Sequence, residues 1–421
     1  MIRIVTGLSV QVEKIINSLN IRVLSPAFIL FLIITPDNSS GQEYNFRILS
    51  ADEAVNLALK NNPIIKNKEL EIKKSEAAAG SAFDFEPTEF TYQYGQMYSA
   101  VNDRYIGISQ NFGSLLSHIN QLRVYRRMLD LSKTEDQIAK KEMAVKVKSA
   151  YYFWVYLHKK LEILDEQKDL YADLTRVADL QYKLGETDLL AKKMSSARQA
   201  DIELKYNTAF DDLVMAENKL KQLIIIKDDL VPADTELNLY MISKPSPDSA
   251  YHGDLLLSLY QENLELKQAE LVTAQSGFFP EISAGYFNQD IGNFRGLQGW
   301  TVGLTFPLWF LPKRAEVSQA KISRDIADNN LKYQKYLIDN DIENLLFELN
   351  KYFKQFHYYN TYVINEADEL INTTRLQYNK EEIDYFDYIQ GISEGLKLKT
   401  DFLETINNYN QTAIQLELYV Y

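Results

Sequence analysis

Residues 180–190 read LQYKLGETDLL, and residues 376–386 read LQYNKEEIDYF. The two stretches share Leu-Gln-Tyr and are offset by 196 positions. Each interrupts a long helix-forming pattern with a short polar patch, which predicts a tight turn between antiparallel helices. A turn that occurs twice at this spacing predicts a chain built from two copies of one helical hairpin.

Other segments repeat at nearly the same offset. NPIIKNKEL (62–70) matches NLELKQAEL (263–271), EPTEFTYQY (86–94) matches FPEISAGYF (279–287), and Gly107 matches Gly303. We therefore predict repeat unit 1 at 42–226 and repeat unit 2 at 251–421, joined by a proline-containing linker at 227–250. Residues 1–41 contain an apolar run at 23–34 followed by small residues, which predicts a cleaved signal sequence and export from the cytoplasm.

Each unit has the same predicted order of elements: a helix, two strands, a long helix to the tip and a return helix. Ser50 and Glu53 form a capping-box pattern at the start of the first helix. Apolar residues step by three and four along both long helices, from Met143 to Leu164 and from Ile338 to Val363, as in coiled coils. These two series are out of register by one residue.

The strands alternate large apolar residues with small or hydroxyl residues, which is the period-2 pattern of a two-faced sheet. Four such strands are long enough to cross a bilayer, but lipid excludes open sheet edges and closure needs about eight strands. Three chains would supply twelve strands and leave a channel; the alternative is a small soluble sheet that caps a helical bundle. The predicted lipid-facing residues are Phe90, Tyr92, Tyr94, Ile106, Ile108, Ile282, Tyr286, Trp300, Val302, Leu304 and Phe306.

Composition excludes several functions. The chain has no cysteine, so it has neither disulfides nor thiolate metal sites, and its net charge of −13 disfavours nucleic-acid binding. The four histidines show no ligand spacing, and no phosphate loop, dinucleotide-binding turn or nucleophile elbow is present. We predict no enzyme activity and no cofactor, so any energy must come from a partner.

The duplicated order of elements resembles the TolC-like outer-membrane efflux factors. The resemblance covers about 48–421 and is carried by ADEAVNLALKNNPIIK (51–66), LQYKLGETDLL (180–190) and the proline-led strand pairs. It implies a mainly α fold with a small membrane β part, in which long coiled helical hairpins form a periplasmic α-barrel. Four strands per chain would contribute to a homotrimeric 12-stranded β-barrel in outer-membrane lipid.

The same resemblance implies a passive exit duct of a tripartite efflux system. A periplasmic adaptor (membrane fusion) protein would open the duct, and an inner-membrane pump of the resistance-nodulation-division type would energise it. Residues 83–113 are more similar to members that serve heavy-metal pumps, which favours heavy-metal cations as cargo. The alternatives are an exit duct for type I secretion or drug export, and a periplasmic coiled-coil scaffold without a barrel.

The resemblance also assigns roles to the two tips. The second tip matches the family's pore gate, with Asp387 at an acidic position and Gln390 where the family has another acid. The predicted gate residues are Tyr378, Glu381, Glu382, Asp384 and Asp387. The predicted adaptor-docking residues are Tyr182, Gly185, Glu186, Thr187 and Asp188. The alternative for both sets is a solvated helix turn.

Overall fold

The computed structural model of the protein describes residues 46–242 and 255–419. The predicted signal sequence at 1–41 and the end of the predicted linker at 243–250 lie outside the described residues. The described residues belong to one compact unit, so the two repeats pack against each other and do not form separate domains.

The N-terminal helix predicted as one element is two helices, α1 (Ala51–Asn61) and α2 (Pro63–Ala78). Asn62 is extended between them, and its side-chain oxygen accepts from the Ile64 N–H at 3.0 Å. Pro63 has no N–H to donate, so α1 ends before it and α2 begins with it. Half of the predicted capping box forms, because Ser50 accepts from the Glu53 N–H at 3.3 Å while the Glu53 carboxylate pairs with Arg47.

The two repeats then follow the predicted order. Unit 1 continues with β2 (Glu89–Gly95), β3 (Asp103–Asn111), α3 (Leu115–Leu184) and α4 (Leu189–Ile224). Unit 2 consists of α5 (Leu255–Ser276), β5 (Glu281–Ile291), β6 (Phe294–Thr305), α6 (Phe310–Tyr358), a π-helical turn (Tyr359–Val363), α7 (Ile364–Asn379) and α8 (Tyr385–Leu416).

The π-helical turn resolves the register mismatch between the two long helices. The left-handed tip residue Glu381 lies 71 positions after the start of α6 at Phe310, whereas Gly185 lies 70 positions after the start of α3 at Leu115. The apolar series begin at Met143 and Ile338, an offset of 195, whereas the tips are offset by 196. A π turn accommodates one extra residue in a helix, so it absorbs this difference.

A second, smaller sheet was not predicted. β1 (Phe46–Leu49) pairs in parallel with β4 (Asp229–Pro232), which lies in the segment predicted as a linker. That segment is bound to the helices: the Asn410 side chain accepts from the Tyr240 N–H at 2.7 Å and donates to the Asn238 carbonyl at 2.8 Å. The composition of this segment suggested a linker because composition does not reveal contacts between residues about 170 positions apart.

The helices of unit 1 and α8 of unit 2 hold the core. The predicted seam of α3 is covered, with Met143, Val147, Trp154, Leu157 and Leu164 all buried. In α6 only Ala327 is buried, and the predicted seam from Ile338 to Val363 is half-exposed. None of the described helices is long and apolar enough to cross a membrane.

Candidate functional sites on the tips and the sheet

The two tips have the same backbone turn. Gly185 ends α3 with φ of +76°, and Glu381, 196 residues later, has φ of +60°. In each tip the next N–H closes back onto a glutamine carbonyl at 2.9 Å, from Glu186 to Gln181 and from Glu382 to Gln377. This is the Schellman arrangement, which normally uses glycine in the left-handed position. The second tip therefore makes the glycine turn without a glycine, which the sequence did not reveal.

Two of the predicted acidic site residues are helix caps. The Asp188 carboxylate accepts from the Ala191 N–H at 2.8 Å at the start of α4. The Asp384 carboxylate accepts from the Asp387 N–H at the same distance at the start of α8. A side-chain oxygen at this position satisfies an otherwise free helix N–H, so both aspartates have a structural role whatever else they do.

The remaining predicted tip residues are at the surface. Glu381, Glu382, Asp387 and Glu186 are exposed, and Thr187 is half-exposed. None of the four carboxylates has an ion pair among the described residues. The tips thus present acidic groups to solvent, as both the functional and the solvated-turn interpretations require.

The tips differ in what covers the tyrosine that both of them contain. In the first tip the Lys192 ammonium lies over the Tyr182 ring, 5.0 Å from its centroid. In the second tip Tyr388, at the position 196 residues later, stacks on Tyr378 with ring centroids 4.5 Å apart. The same contact is therefore a cation–π pair in one tip and an aromatic stack in the other.

Charge around these rings differs as well. Asp179 pairs with Lys183 and Lys192 at 2.5 Å, and hydrogen bonds from these two lysines lower the pKa of Asp179 to about 2. In the second tip burial, helped by nearby Asp173, raises the pKa of Tyr385 to about 12. The shared tyrosine is therefore surrounded by salt-bridged charges in the first tip and by the rings of Tyr385 and Tyr388 in the second.

Sequence reasoning missed the close packing of α7 against α8. A Cβ on Gly395 would lie 2.5 Å from Ile371 Cγ1 and 3.1 Å from the Ala367 carbonyl oxygen. A Cβ on Gly391 would collide with the Thr374 hydroxyl. The signal was present, since glycines four residues apart on one helix allow two backbones to approach. These contacts fix the second hairpin directly behind its acidic tip.

The large sheet has the strand order β2-β3-β5-β6, antiparallel throughout. Cross-strand pairs place the predicted lipid-facing residues of the strands on one face, for example Phe90 opposite Ile108, Ile108 opposite Tyr286, and Tyr286 opposite Trp300. Phe306 follows the end of β6 and is 57% exposed. The sequence therefore predicted the shared face; its contact with lipid remains a prediction.

The opposite face of the sheet is lined by small and polar residues with one aromatic pair. The rings of Tyr105 and Phe287 stack with centroids 5.8 Å apart. Tyr105 lies over Gly107 and Phe287 lies over Gly299, where a Cβ would come within 2.7 and 2.6 Å of the rings. Because glycine has no side chain, the two rings can lie flat against the sheet and project little from this face.

Known structures share this arrangement of hairpins and sheet. The CmeC outer membrane channel of Campylobacter jejuni superimposes with a TM-score of 0.74 at 16% identity, over 95% of this chain and 93% of that chain. This chain has the fold of TolC-like outer-membrane channels. CusC, described as forming a transmembrane channel, gives a TM-score of 0.74 at 15% identity over 94% and 99% of the two chains. The open state of the Neisseria gonorrhoeae MtrE outer membrane channel gives 0.69 at 13% identity over 88% of each.

These comparisons confirm, at the level of fold, the TolC-like resemblance inferred from the sequence. No family model matches the sequence, and no curated protein matches it. Identities this low establish the fold alone, so the activity, partners and cargo of this chain are matters for proposal.

One groove stands out on the helical part of this TolC-like fold. A cavity of about 1000 Å³ lies over α3 between α4 and α8. Its walls combine apolar residues such as Ile202 and Ile389 with charged residues such as Arg198 and Asp401. Gln390 also lines it. No cluster of three potential metal ligands occurs in the described residues.

Proposed function

We propose that this protein is the outer-membrane channel of a tripartite efflux system, acting as a passive exit duct. One observation carries the proposal: a four-stranded sheet with an apolar outer face and two open edges is attached to very long helical hairpins. Lipid would leave the backbone groups of the β2 and β6 edges unpaired, at a cost of several kcal/mol each. Three chains that pool their strands would close a 12-stranded barrel around a channel.

The unpartnered face of α6 supports assembly of several chains. Large side chains remain exposed along this helix, among them Ile322 (56%), Tyr336 (64%) and Phe347 (65%). A helix with apolar residues on more than one side needs a partner on each side. In a homotrimer the neighbouring protomer would cover this face and close a periplasmic α-barrel.

The tips would form the periplasmic entrance. Three copies would bring six tips together, with Glu381, Glu382 and Asp387 of each chain raising the negative potential at the mouth. A periplasmic adaptor would dock at the first tip and in the groove between α4 and α8. Its binding would shift the population from closed to open entrances while an inner-membrane pump, proposed to be of the resistance-nodulation-division type, supplies energy.

Heavy-metal cations are the proposed cargo class, resting on the resemblance at 83–113. Deleting the gene should then sensitise the cells to metal salts; selective sensitivity to organic drugs, or loss of a secreted protein, would instead support drug export or type I secretion.

Purification tests the architecture. Extraction with detergent should yield a trimer of the 48.7 kDa chain, less its signal sequence, that conducts ions in planar bilayers. A monomer that fractionates with the soluble periplasm and needs no detergent would contradict the channel and support the coiled-coil scaffold.

A further inference from the structure

The junction between β6 and α6 carries the most exposed run of large apolar residues in the described structure. Leu308, Trp309 and Leu311 are 77%, 85% and 78% exposed, and Phe306 before them is 57% exposed. Pro307 follows the end of β6, and Pro312 lies in the first turn of α6, where a missing backbone N–H is tolerated, so the run spans the junction between strand and helix. Exposed apolar patches of this kind mark interaction sites.

The corresponding junction of unit 1 is less apolar and less exposed, since Leu115 and Leu116 are only 50% and 39% exposed. The four residues before the long helices read NFGS at 111–114 and FPLW at 306–309. Ser114, the N-cap of α3, stands at the position of Trp309, the N-cap of α6, and Gly113 before it has a φ of +61°, which favours glycine. The patch is therefore a property of unit 2 and not a general consequence of joining a strand to a helix in this fold.

The patch continues the outer face of β6. Trp300, Val302, Leu304, Phe306 and Leu308 follow one another at intervals of two and are all more than half exposed. Toward the other end of β5 and β6 the same face becomes polar, through Gln298, Asn288 and Asp290. The apolar band on β6 therefore begins near Trp300 and extends toward the helices.

The height of this band requires the junction. From Trp300 to Thr305 the strand rises about 17 Å at about 3.3 Å per residue, or about 13 Å along the normal at a tilt of about 40°. An outer-membrane barrel has an apolar band about 25 Å tall. Extension to Leu308 raises the height to about 20 Å, and Trp309 and Leu311 lie where the apolar layer meets the headgroups.

Basic residues follow the patch directly. Arg314 is exposed and makes no ion pair within the part of the chain that the structure describes. Lys313 pairs with Glu316 at 3.0 Å, so Arg314 is the cation available for an external anion. Tryptophan with an adjacent basic residue is the combination found at membrane interfaces, where the ring lies among headgroups and the cation contacts phosphate.

From this geometry we propose that residues 306–314 form a phospholipid-binding anchor in the leaflet on the helical side of the barrel. Phe306, Leu308 and Leu311 contact acyl chains, Trp309 lies at the level of the glycerol groups, and Arg314 binds the phosphate of an anionic lipid. The inference rests on the proposed membrane channel, and it adds a lipid class and a residue set that orient the barrel in its membrane.

Tryptophan fluorescence tests this directly, because the chain has three tryptophans and Trp154 is fully buried. Trp300→Phe leaves Trp309 as the accessible reporter, and Trp309→Phe leaves Trp300. Both variants are reconstituted in vesicles of phosphatidylethanolamine and phosphatidylglycerol that carry bromine at either a shallow or a deep acyl position. We expect shallow bromines to quench most of the Trp309 emission and deep bromines to quench it less, whereas Trp300 is quenched well by deep bromines.

The outcomes separate the two proposals. Quenching of Trp300 without quenching of Trp309 would leave the barrel intact and overturn the anchor; a blue-shifted, unquenched Trp309 would assign the patch to a neighbouring protein chain. Loss of quenching at both positions would contradict the channel itself.

Arg314→Gln should abolish the stronger quenching of Trp309 in vesicles containing phosphatidylglycerol relative to phosphatidylethanolamine alone. Arg324→Gln is the matched control, since Arg324 is already paired with Asp325 and lies about 15 Å further along the helix. Equal effects of the two substitutions would overturn the assignment of Arg314 to the lipid phosphate.

Discussion

The left-handed residue at the second tip offers a test that uses both copies of the turn. Glu381 has φ of +60°, where a residue with a Cβ is disfavoured by about 1–2 kcal/mol relative to the right-handed region. Glycine removes that cost but loses about 0.5–1 kcal/mol more conformational entropy on folding. Glu381→Gly should therefore stabilise the turn by about 0.5–1 kcal/mol.

Hydrogen exchange measures this change where it occurs. The N–H groups of Glu382 and residue 381 donate to the Gln377 and Tyr378 carbonyls at 2.9 and 3.0 Å, so their exchange reports opening of the turn. A gain of about 0.5–1 kcal/mol corresponds to exchange slower by a factor of about 2–5 in the variant. Gly185→Ala should have the opposite effect at the first tip, with faster exchange of the Glu186 N–H.

Glu382→Gly is the matched control. It removes the same charge one residue later, but positive φ among the described non-glycine residues occurs only at Ile225 and Glu381. Glycine at 382 should therefore accelerate exchange at this turn while glycine at 381 slows it. If both substitutions change exchange in the same direction, charge and not backbone conformation controls the tip, and our reasoning is wrong.

Three further substitutions test other parts of the structure. Gly395→Ala should cost about 1–3 kcal/mol in thermal unfolding because its Cβ meets Ile371, and Ile371→Ala should recover part of that loss. Lysine in place of Leu304 should destabilise the proposed trimer by about 2–4 kcal/mol if the residue faces lipid, whereas Thr301→Lys on the opposite face should be tolerated. Equal trimer yields of the two variants would refute the proposed orientation of the strand faces. Burial lowers the pKa of His158 below its ordinary value of 6.5. The neutral imidazole therefore contributes its full stabilisation above about pH 6.5, and the free energy of unfolding falls as the pH decreases from 6.5 toward the folded-state pKa. The His158→Gln variant should lose that acid-dependent part of the change in melting temperature, and an unchanged pH profile would contradict the assignment.

Local patterns were sufficient for much of the architecture. The turns at the tips, the strand faces and the apolar seam of α3 each depend on residues within a few positions of one another. The register of β2, β3, β5 and β6 keeps the predicted faces because side chains alternate strictly along extended backbone. The duplication was also visible, since it is a property of the sequence itself.

Other features depend on contacts between distant residues. The break at Pro63 had a local signal that the sequence interpretation passed over, and so did the glycine spacing at 391 and 395. By contrast, the pairing of β1 with β4 and the binding of Tyr240 by Asn410 join residues more than 160 positions apart. No local pattern specifies such partners, because the free energy of these contacts comes from burial and hydrogen bonds that exist only after the helices have packed.

The tips separate the two contributions most clearly. The sequence by itself determined that two equivalent turns exist and that the second is acidic. Only the tertiary structure decided that Glu381 takes the conformation of Gly185, and that a tyrosine stack replaces a lysine over the shared tyrosine. The physical reason is that the hydrogen bonds closing the turn and the packing of α7 on α8 impose the backbone path, and the residue at position 381 must accept it.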